Sequence, residues 1–220
     1  TALAVSVDGK LIAAGTKSGE AKFWTVEAGK NAGALAGHTG AVNAIAFHPK
    51  QPQFATAGAD GTVRIWQYPQ PAVDVVAHTA AVRVVAASKD GKQIVTGGDD
   101  GVVHLWAYAA KMPAHKLAGH QAAVLCAAFR PDAKQFATGD KAGRVRLWNP
   151  VDRQVQAVLG AHEGAVTTAS YHVQNAVLAT GGEDGSIKIW NVPATPSAEF
   201  GKHAAAVGGF LDLVKRLIET

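Results

Sequence analysis

Residues 38–66, HTGAVNAIAFHPKQPQFATAGADGTVRIW, carry the pattern that decides the fold, because it returns along the chain at a nearly constant interval. A histidine begins the stretch and a tryptophan ends it 28 residues later, with three short apolar runs between them. The same spacing occurs in three further units. The tryptophans of the repeat are Trp24, Trp66, Trp106, Trp148 and Trp190, at spacings of 42, 40, 42 and 42 residues. A period of this length indicates tandem structural repeats.

Each unit predicts four short antiparallel strands. In the quoted stretch an apolar run over 41–47 follows the histidine, a second run includes Thr56, and a third ends on Trp66. A weaker fourth run leads to the next histidine, and glycine and aspartate at the turns suit tight hairpins. Four such strands in 40–45 residues are typical of one propeller blade. The sequence therefore predicts an all-β chain, a β-propeller of five four-stranded antiparallel blades over residues 1–207.

The units resemble the WD-repeat (tryptophan–aspartate repeat) family across residues 1–207. The resemblance implies a hydrogen-bonded tetrad in each blade: a histidine before the first strand, a threonine on the second, an aspartate in the next turn and the tryptophan. Three units supply all four residues: His38, Thr56, Asp60 and Trp66; His78, Thr96, Asp100 and Trp106; His162, Thr180, Asp184 and Trp190. Buried polar groups need partners, so such a network would tie the turns of a blade together.

Two units depart from this pattern. The fourth has His120, Thr138 and Trp148, but Ala142 stands where the turn aspartate is expected. The first has Trp24 but carries Ala14 and Ser18 in place of the threonine and aspartate. Its histidine is expected to be His203, because placing Thr1 after Val207 restores the spacing of 28 residues to Trp24.

This match between the chain ends leaves two interpretations of the ring. Either the C-terminal end joins the first blade and five blades close on themselves, or another chain completes a larger propeller. A propeller must be closed or completed, since an uncovered end blade exposes apolar faces and strand edges.

Residues 208–220 follow a different pattern. Gly208 and Gly209 predict a hinge, and 210–220 predicts a short amphipathic helix with its apolar residues on one face. Such a short helix is marginal in water unless it packs on something. It is expected to dock on its own propeller or to take part in self-association or partner binding.

The composition excludes several classes of protein. Of 220 residues, 48% are hydrophobic and 17% charged, which argues against a disordered chain. The single cysteine, Cys126, excludes an internal disulfide framework and a cysteine-based metal site. No apolar run approaches a bilayer span, so no membrane partner is expected. The net charge of +4 is mild and dispersed, which does not favour nucleic acid as the main partner.

No catalytic or metal-binding constellation stands out. Five of the nine histidines follow the repeat, so they would lie around the ring rather than converge on a metal ion. A cation two residues before the tryptophan recurs and is interpreted as structural: Lys22, Arg64, Arg146 and Lys188, with His104 in the third unit. No nucleophile elbow, phosphate loop or dinucleotide motif is present. The sequence predicts no metal site and no cofactor.

The family resemblance also implies a partner-binding face at one end of the ring. Its positions fall three and five residues after each histidine and one before each turn aspartate. Besides alanines, they are Thr1, Lys17, Asn43, Arg83, Asp99, Leu125, Lys141, Thr167 and Glu183. Arginine, tyrosine and tryptophan dominate interface hot spots, and this face has one arginine and no aromatic residue.

These features predict a non-catalytic scaffold that binds a protein or peptide. A structural assembly unit, in which the blades and the helix drive oligomerisation, is the alternative. A propeller-based enzyme is a third hypothesis, which the alanine-rich first strands disfavour.

Overall fold

The computed structural model describes residues 2–67, 70–76, 78–108, 115–117, 119–174, 176–192 and 203–204. Its described residues form five four-stranded antiparallel sheets, each built from four strands in consecutive chain order. The strands are β1 Ala2–Val5, β2 Leu11–Gly15, β3 Glu20–Thr25, β4 Asn31–Ala36, β5 Val42–Phe47, β6 Gln53–Gly58, β7 Thr62–Gln67, β8 Gln70–Val76, β9 Val82–Ala87, β10 Gln93–Gly98, β11 Val103–Ala107, β12 His115–Leu117, β13 Val124–Phe129, β14 Phe136–Asp140, β15 Arg144–Trp148, β16 Val155–Gly160, β17 Val166–Tyr171, β18 Val177–Gly182, β19 Ile187–Asn191 and β20 His203–Ala204. The predicted propeller of five four-stranded blades is confirmed.

The blades pack face to face in chain order, and their first strands lie side by side. We number the blades 1 to 5, so that blade 1 holds β1–β4 and blade 5 holds β17–β20. The first strands β1, β5, β9, β13 and β17 each contact the next along the series. Two side chains bridge neighbouring blades here: Asn43 Nδ2 donates to the Val82 carbonyl at 2.8 Å, and Cys126 Sγ donates to the Val166 carbonyl at 3.6 Å.

The core lies between the blades rather than within any one of them. Strand alternation gives every blade two apolar faces, one for each neighbour. Between blades 1 and 2, Phe23 packs edge-on against Phe54 with ring centroids 5.1 Å apart. Phe54 also stacks on Trp66 of its own blade at 5.9 Å, and both are almost completely buried. Each blade therefore depends on its neighbours for its stability.

One row of residues recurs on the same face of every blade. It joins the end of the first strand, the start of the second and the tryptophan of the third, which are paired in register. The rows are Val5, Ile12 and Trp24; Phe47, Phe54 and Trp66; Ala87, Ile94 and Trp106; Phe129, Phe136 and Trp148; Tyr171, Leu178 and Trp190. We call this the tryptophan face. In blades 2 to 5 it packs on the preceding blade.

The turn between the second and third strands uses glycine to approach the next blade. Gly143 has φ of +80°, which favours glycine, and a Cβ there would overlap the His162 carbonyl oxygen. Gly185, at the same turn of blade 5, has φ of +72° and no neighbouring atom near that position. The turn is thus shared by all blades, but the close contact requires a following blade.

Among the described residues, blades 1 and 5 each have a face on which no other blade packs. Within the described residues, the contacts between first strands run from β1 to β17, and no comparable contact joins β17 to β1. Leu3 and Val5 of blade 1 are 71% and 55% exposed. The described residues therefore do not display the closed five-bladed ring that the sequence allowed. The predicted hinge and helix over 208–220 lie outside the described residues.

Candidate functional site

The tetrad of blade 2 forms a continuous chain of hydrogen bonds from the core to the surface loops. Trp66 Nε1 donates to Thr56 Oγ1 at 2.9 Å, and Thr56 Oγ1 lies 2.7 Å from His38 Nε2. The other ring nitrogen of His38, Nδ1, lies 3.0 Å from Asp60 Oδ1. Every group in this chain has a partner when Thr56 donates to His38 Nε2 and His38 Nδ1 donates to the Asp60 carboxylate.

The carboxylate at the end of this chain fixes two loops. Asp60 accepts hydrogen bonds from the amides of Thr39, before the first strand, and Thr62, after the turn, at 2.9 and 3.1 Å. Partial burial alone would raise the pKa of Asp60, but hydrogen bonds from Thr62, Thr39 and His38 outweigh it and lower the pKa to about 2. The carboxylate is therefore ionised at neutral pH and holds the loop and the turn together.

Blades 3 and 5 repeat this geometry. Their histidine Nε2-to-threonine distances are 3.0 and 2.9 Å, and their histidine Nδ1-to-aspartate distances are both 3.0 Å. In blade 5, hydrogen bonds from Ser186, Glu163 and His162 lower the pKa of the Asp184 carboxyl. The residues that the structure brings together are His78, Thr96, Asp100 and Trp106, and His162, Thr180, Asp184 and Trp190.

Blade 4 also has four linked residues, through an aspartate that the sequence analysis missed. His120 Nδ1 lies 2.7 Å from Asp140 Oδ2, and both side chains are completely buried. The amides of Ala142 and Arg144 donate to the other carboxylate oxygen, Asp140 Oδ1, at 3.0 and 2.9 Å. The expectation that Ala142 leaves this unit without its acid is therefore wrong. The sequence did contain a sign of this acid, because Gly139-Asp140 stands where blades 3 and 5 have two glycines.

Blade 1 has no counterpart of this network among its described residues. Ala14 pairs with Lys22 in the sheet and offers no hydroxyl to Trp24. The expected histidine, His203, lies in β20, where its backbone pairs with Ile189 of β19, instead of in a loop before a first strand. The predicted link between His203 and Trp24 stays a prediction.

The residues predicted for partner binding occur at the end of the blades where the tetrads fix the loops. Arg83 follows the start of β9, and Asp99 lies in the turn after β10. The guanidinium of Arg83 donates to both carboxylate oxygens of Asp99, with a distance of 2.8 Å from Nε to Oδ1. The only arginine of this set is thus already paired within its own blade.

The other predicted positions surround this ion pair and differ in exposure. Asn43 and Leu125 are half-buried, and Thr167 donates to the Gly181 carbonyl at 3.2 Å. The exposed charged residues are Lys17, Lys141 and Glu183. We call the eight residues the loop-end face: Lys17, Asn43, Arg83, Asp99, Leu125, Lys141, Thr167 and Glu183. On this face blades 1 and 4 each present a lysine, blade 3 presents the Arg83–Asp99 ion pair and blade 5 presents a glutamate.

A cavity of about 490 Å³ lies at the opposite end, between blades 1 and 2. Phe23, Phe47 and Phe54 form its apolar lining with Pro49 and Pro52. Between blades 2 and 3, Tyr108 packs at the corresponding place, with its ring 4.3 Å from that of His48. Tyr68, the repeat counterpart of Tyr108, lies outside the described residues, so the cavity itself supports no assignment.

The described residues include no group of three or more histidine, cysteine, aspartate or glutamate side chains placed to hold a metal ion. Nor do they include a helix that is both long and apolar enough to span a bilayer.

The chain belongs to the family described as WD domain, G-beta repeat, whose model matches residues 29–67, 70–107, 111–149 and 153–191. It is 42% identical over 71 residues to WD repeat-containing protein 37 of Mus musculus, which is 29% of this chain and 14% of that protein. It is also 42% identical over 60 residues to GID complex subunit 7 of Schizosaccharomyces pombe, which is 27% of this chain and 12% of that protein. The chain thus spans a small part of these relatives.

Among solved structures, a chain in the crystal structure of the mitotic checkpoint complex superposes with a TM-score of 0.83. The superposition covers 92% of this chain and 63% of that chain at 22% identity. At this identity the likeness shows the fold alone.

Proposed function

We propose that the chain is a non-catalytic scaffold that binds a protein or peptide through the loop-end face. The observation that carries the proposal is the set of four buried hydrogen-bond networks that end at this surface. They hold the loops in one conformation before a partner arrives, which lowers the ordering cost of binding. The name of one similar protein, a subunit of the GID complex, supports the same role.

The chemistry of the face favours a polar partner segment. Arg83 and Asp99 neutralise each other, so this pair presents a planar hydrogen-bonding group rather than a net charge. Leu125 lies in blade 4, the blade that follows the one with Arg83 and Asp99. It is half-buried and supplies the apolar contact, and Lys141 of the same blade supplies a positive charge. We expect the partner to place an acidic residue near Lys141 and an apolar one on Leu125.

Quantitative affinity capture followed by mass spectrometry would test this face. Leu125→Asp and Lys141→Glu should each reduce the recovery of the same partner about tenfold or more, because truncated hot spots cost upwards of about 1.4 kcal/mol. Purified partner and binding calorimetry would then give the change in Kd directly.

Lys134→Glu is the matched control. Lys134 is exposed in the turn between β13 and β14, at the other end of the same blade. It makes the same charge change without altering the loop-end face. Equal losses with Lys134→Glu and Lys141→Glu, or no loss with either loop-end variant, would contradict the proposed site.

A further inference from the structure

The tryptophan face of blade 1 is exposed, whereas the same face is buried in every other blade. Trp66, Trp106, Trp148 and Trp190 are at most 4% exposed, and so are their row neighbours on the second strands. In blade 1, Val5 is 55% exposed, and Ile12 and Trp24 are only half-buried. Leu3, also on this face, is 71% exposed, while its counterpart Ile45 in blade 2 is 9% exposed.

Four interfaces within the molecule show what covers such a face. Each time it is the opposite face of a four-stranded blade, which carries two small apolar residues on its first strand. These pairs are Ala2 and Ala4, Ala44 and Ala46, Val84 and Ala86, and Cys126 and Ala128. Small residues let the first strands approach closely, so that the large residues of the tryptophan face fill the space between the sheets.

A cation on the tryptophan face completes this pattern. In blade 5, Lys188 Nζ donates to the Ala161 carbonyl, which belongs to the end of blade 4. Lys22 holds the same position in blade 1 and lies 3.7 Å from Glu20 of its own strand, with 43% of its side chain exposed. An incoming blade would therefore have to present a backbone carbonyl to Lys22.

We propose that the tryptophan face of blade 1 is a docking surface for a further four-stranded blade with small apolar residues on its first strand. The docked blade extends the series of blade–blade contacts by one member. Blade 5 is a poor occupant, from the same chain or a second copy, because it carries Thr168 and Ser170 where the other blades have the small apolar pair. Burying those hydroxyl groups without partners is unfavourable. This inference does not depend on the loop-end face, which is a different surface.

The test supplies such a blade in register. A copy of residues 123–166 is placed directly before Thr1, so that the copied β13–β16 precede β1 with the spacing of the natural repeat. Hydrogen exchange is then measured in the 220-residue chain and in the extended chain. The proposal predicts exchange of the β1 and β2 amides that is about tenfold slower or more in the extended chain, since a covered sheet opens less often.

Two matched variants check that the effect comes from this face. Leu3→Asp in the extended chain should abolish the added protection, yet leave the 220-residue chain almost unchanged because Leu3 is already exposed there. Val151→Asp, in an 81% exposed turn residue of blade 4, should leave the protection intact. Protection that persists with Leu3→Asp, or that never appears in the extended chain, overturns the proposal.

Other occupants give different results in the 220-residue chain. A dimer in light scattering that Leu3→Asp converts to monomer would place a second copy on this face. Faster exchange of β1 after deletion of residues 208–220 would place the chain's own C-terminal segment there. Either result overturns the proposal, whereas a monomer whose β1 exchange is unaffected by the deletion supports it.

Discussion

At the scale of single residues, each tetrad depends on the direction of its hydrogen bonds. The tryptophan donates to the threonine, the threonine to the histidine and the histidine to the aspartate. A histidine that takes up a second proton can no longer accept from the threonine, so the chain of donors is broken. Burial lowers the pKa of His120 and so keeps this imidazole neutral.

Asp140 illustrates which part of the site the sequence could not supply. The repeat spacing located three aspartates correctly because they occupy one turn position. In blade 4 the carboxylate comes from two residues earlier, at the end of β14, and still reaches His120. Spacing specifies a position in the chain, but a hydrogen bond needs only an atom at the right point in space. Likewise, nothing in the spacing indicated that Arg83 and Asp99 form an ion pair.

Asp140→Ala should destabilise the protein strongly. The change leaves His120 Nδ1 and the amides of Ala142 and Arg144 without their acceptor in a buried site. We expect the free energy of unfolding to fall by about 3 kcal/mol, measured by urea denaturation. Asp152→Ala, in an exposed turn of the same blade, should cost less than about 1 kcal/mol.

A second-site change should rescue this loss. Asp140→Gly combined with Ala142→Asp recreates the arrangement of blade 3, with glycine at the strand end and aspartate in the turn. Most of the lost free energy of unfolding should return. A double variant no more stable than Asp140→Ala would mean that blade 4 cannot accept the usual turn geometry.

His104 should make stability depend on pH. Burial and the neighbouring His78 lower its pKa from 6.5 to about 4, and its Nδ1 has no hydrogen-bond partner. The unfolded chain thus binds the proton more readily, so stability falls as the pH falls from about 6.5 to about 4. The loss between pH 7 and pH 5 should be at most about 2 kcal/mol, and smaller to the extent that water reaches the ring.

His104→Arg should flatten this dependence, because arginine stands at the same position in blades 2 and 4 as Arg64 and Arg146. Thermal unfolding of both proteins at pH 7.5 and pH 5 is the measurement. Equal shifts in Tm for the two proteins would assign the pH dependence to other groups.

At the scale of the element, the turn between the second and third strands serves both its own blade and the next one. Gly143→Ala and Gly185→Ala impose the same positive φ on alanine, which costs about 1–2 kcal/mol. Only Gly143→Ala also forces a Cβ against the His162 carbonyl of the next blade. We therefore expect Gly143→Ala to lower the Tm clearly more than Gly185→Ala does. Equal effects would show that the turn conformation alone decides the cost.

At the scale of the whole molecule, the sequence predicted the blades and left open how the ring closes. Each blade is specified locally, by strand alternation, turn residues and the regular tryptophan. Closure depends on the angle between neighbouring blades. That angle is set by how their faces pack, and the spacing of the repeat does not predict it. The exposed Leu3 and Val5 therefore became informative only in three dimensions.

Hydrogen exchange should reveal a gradient of stability along the series of blades. The second strands β6, β10 and β14 are buried almost throughout, whereas β2 and β18 include half-buried positions. Amides of β6, β10 and β14 should exchange most slowly, because their blades are covered on both sides. Uniform protection across all five second strands would indicate a single cooperative unit with both ends covered.

The single thiol of the chain, Cys126, reports on the opening of the interface between blades 4 and 5. Its Sγ lies against the Val166 carbonyl, and burial raises the pKa of the thiol to about 12, so it is inert while the interface stays closed. A thiol-specific reagent should then modify the native protein only as fast as blade 5 comes away from blade 4. Modification at the rate of a free cysteine would mean that this interface is open most of the time. Because the chain has no other thiol, the rate of modification directly measures how often blade 5 separates from blade 4, without any added label.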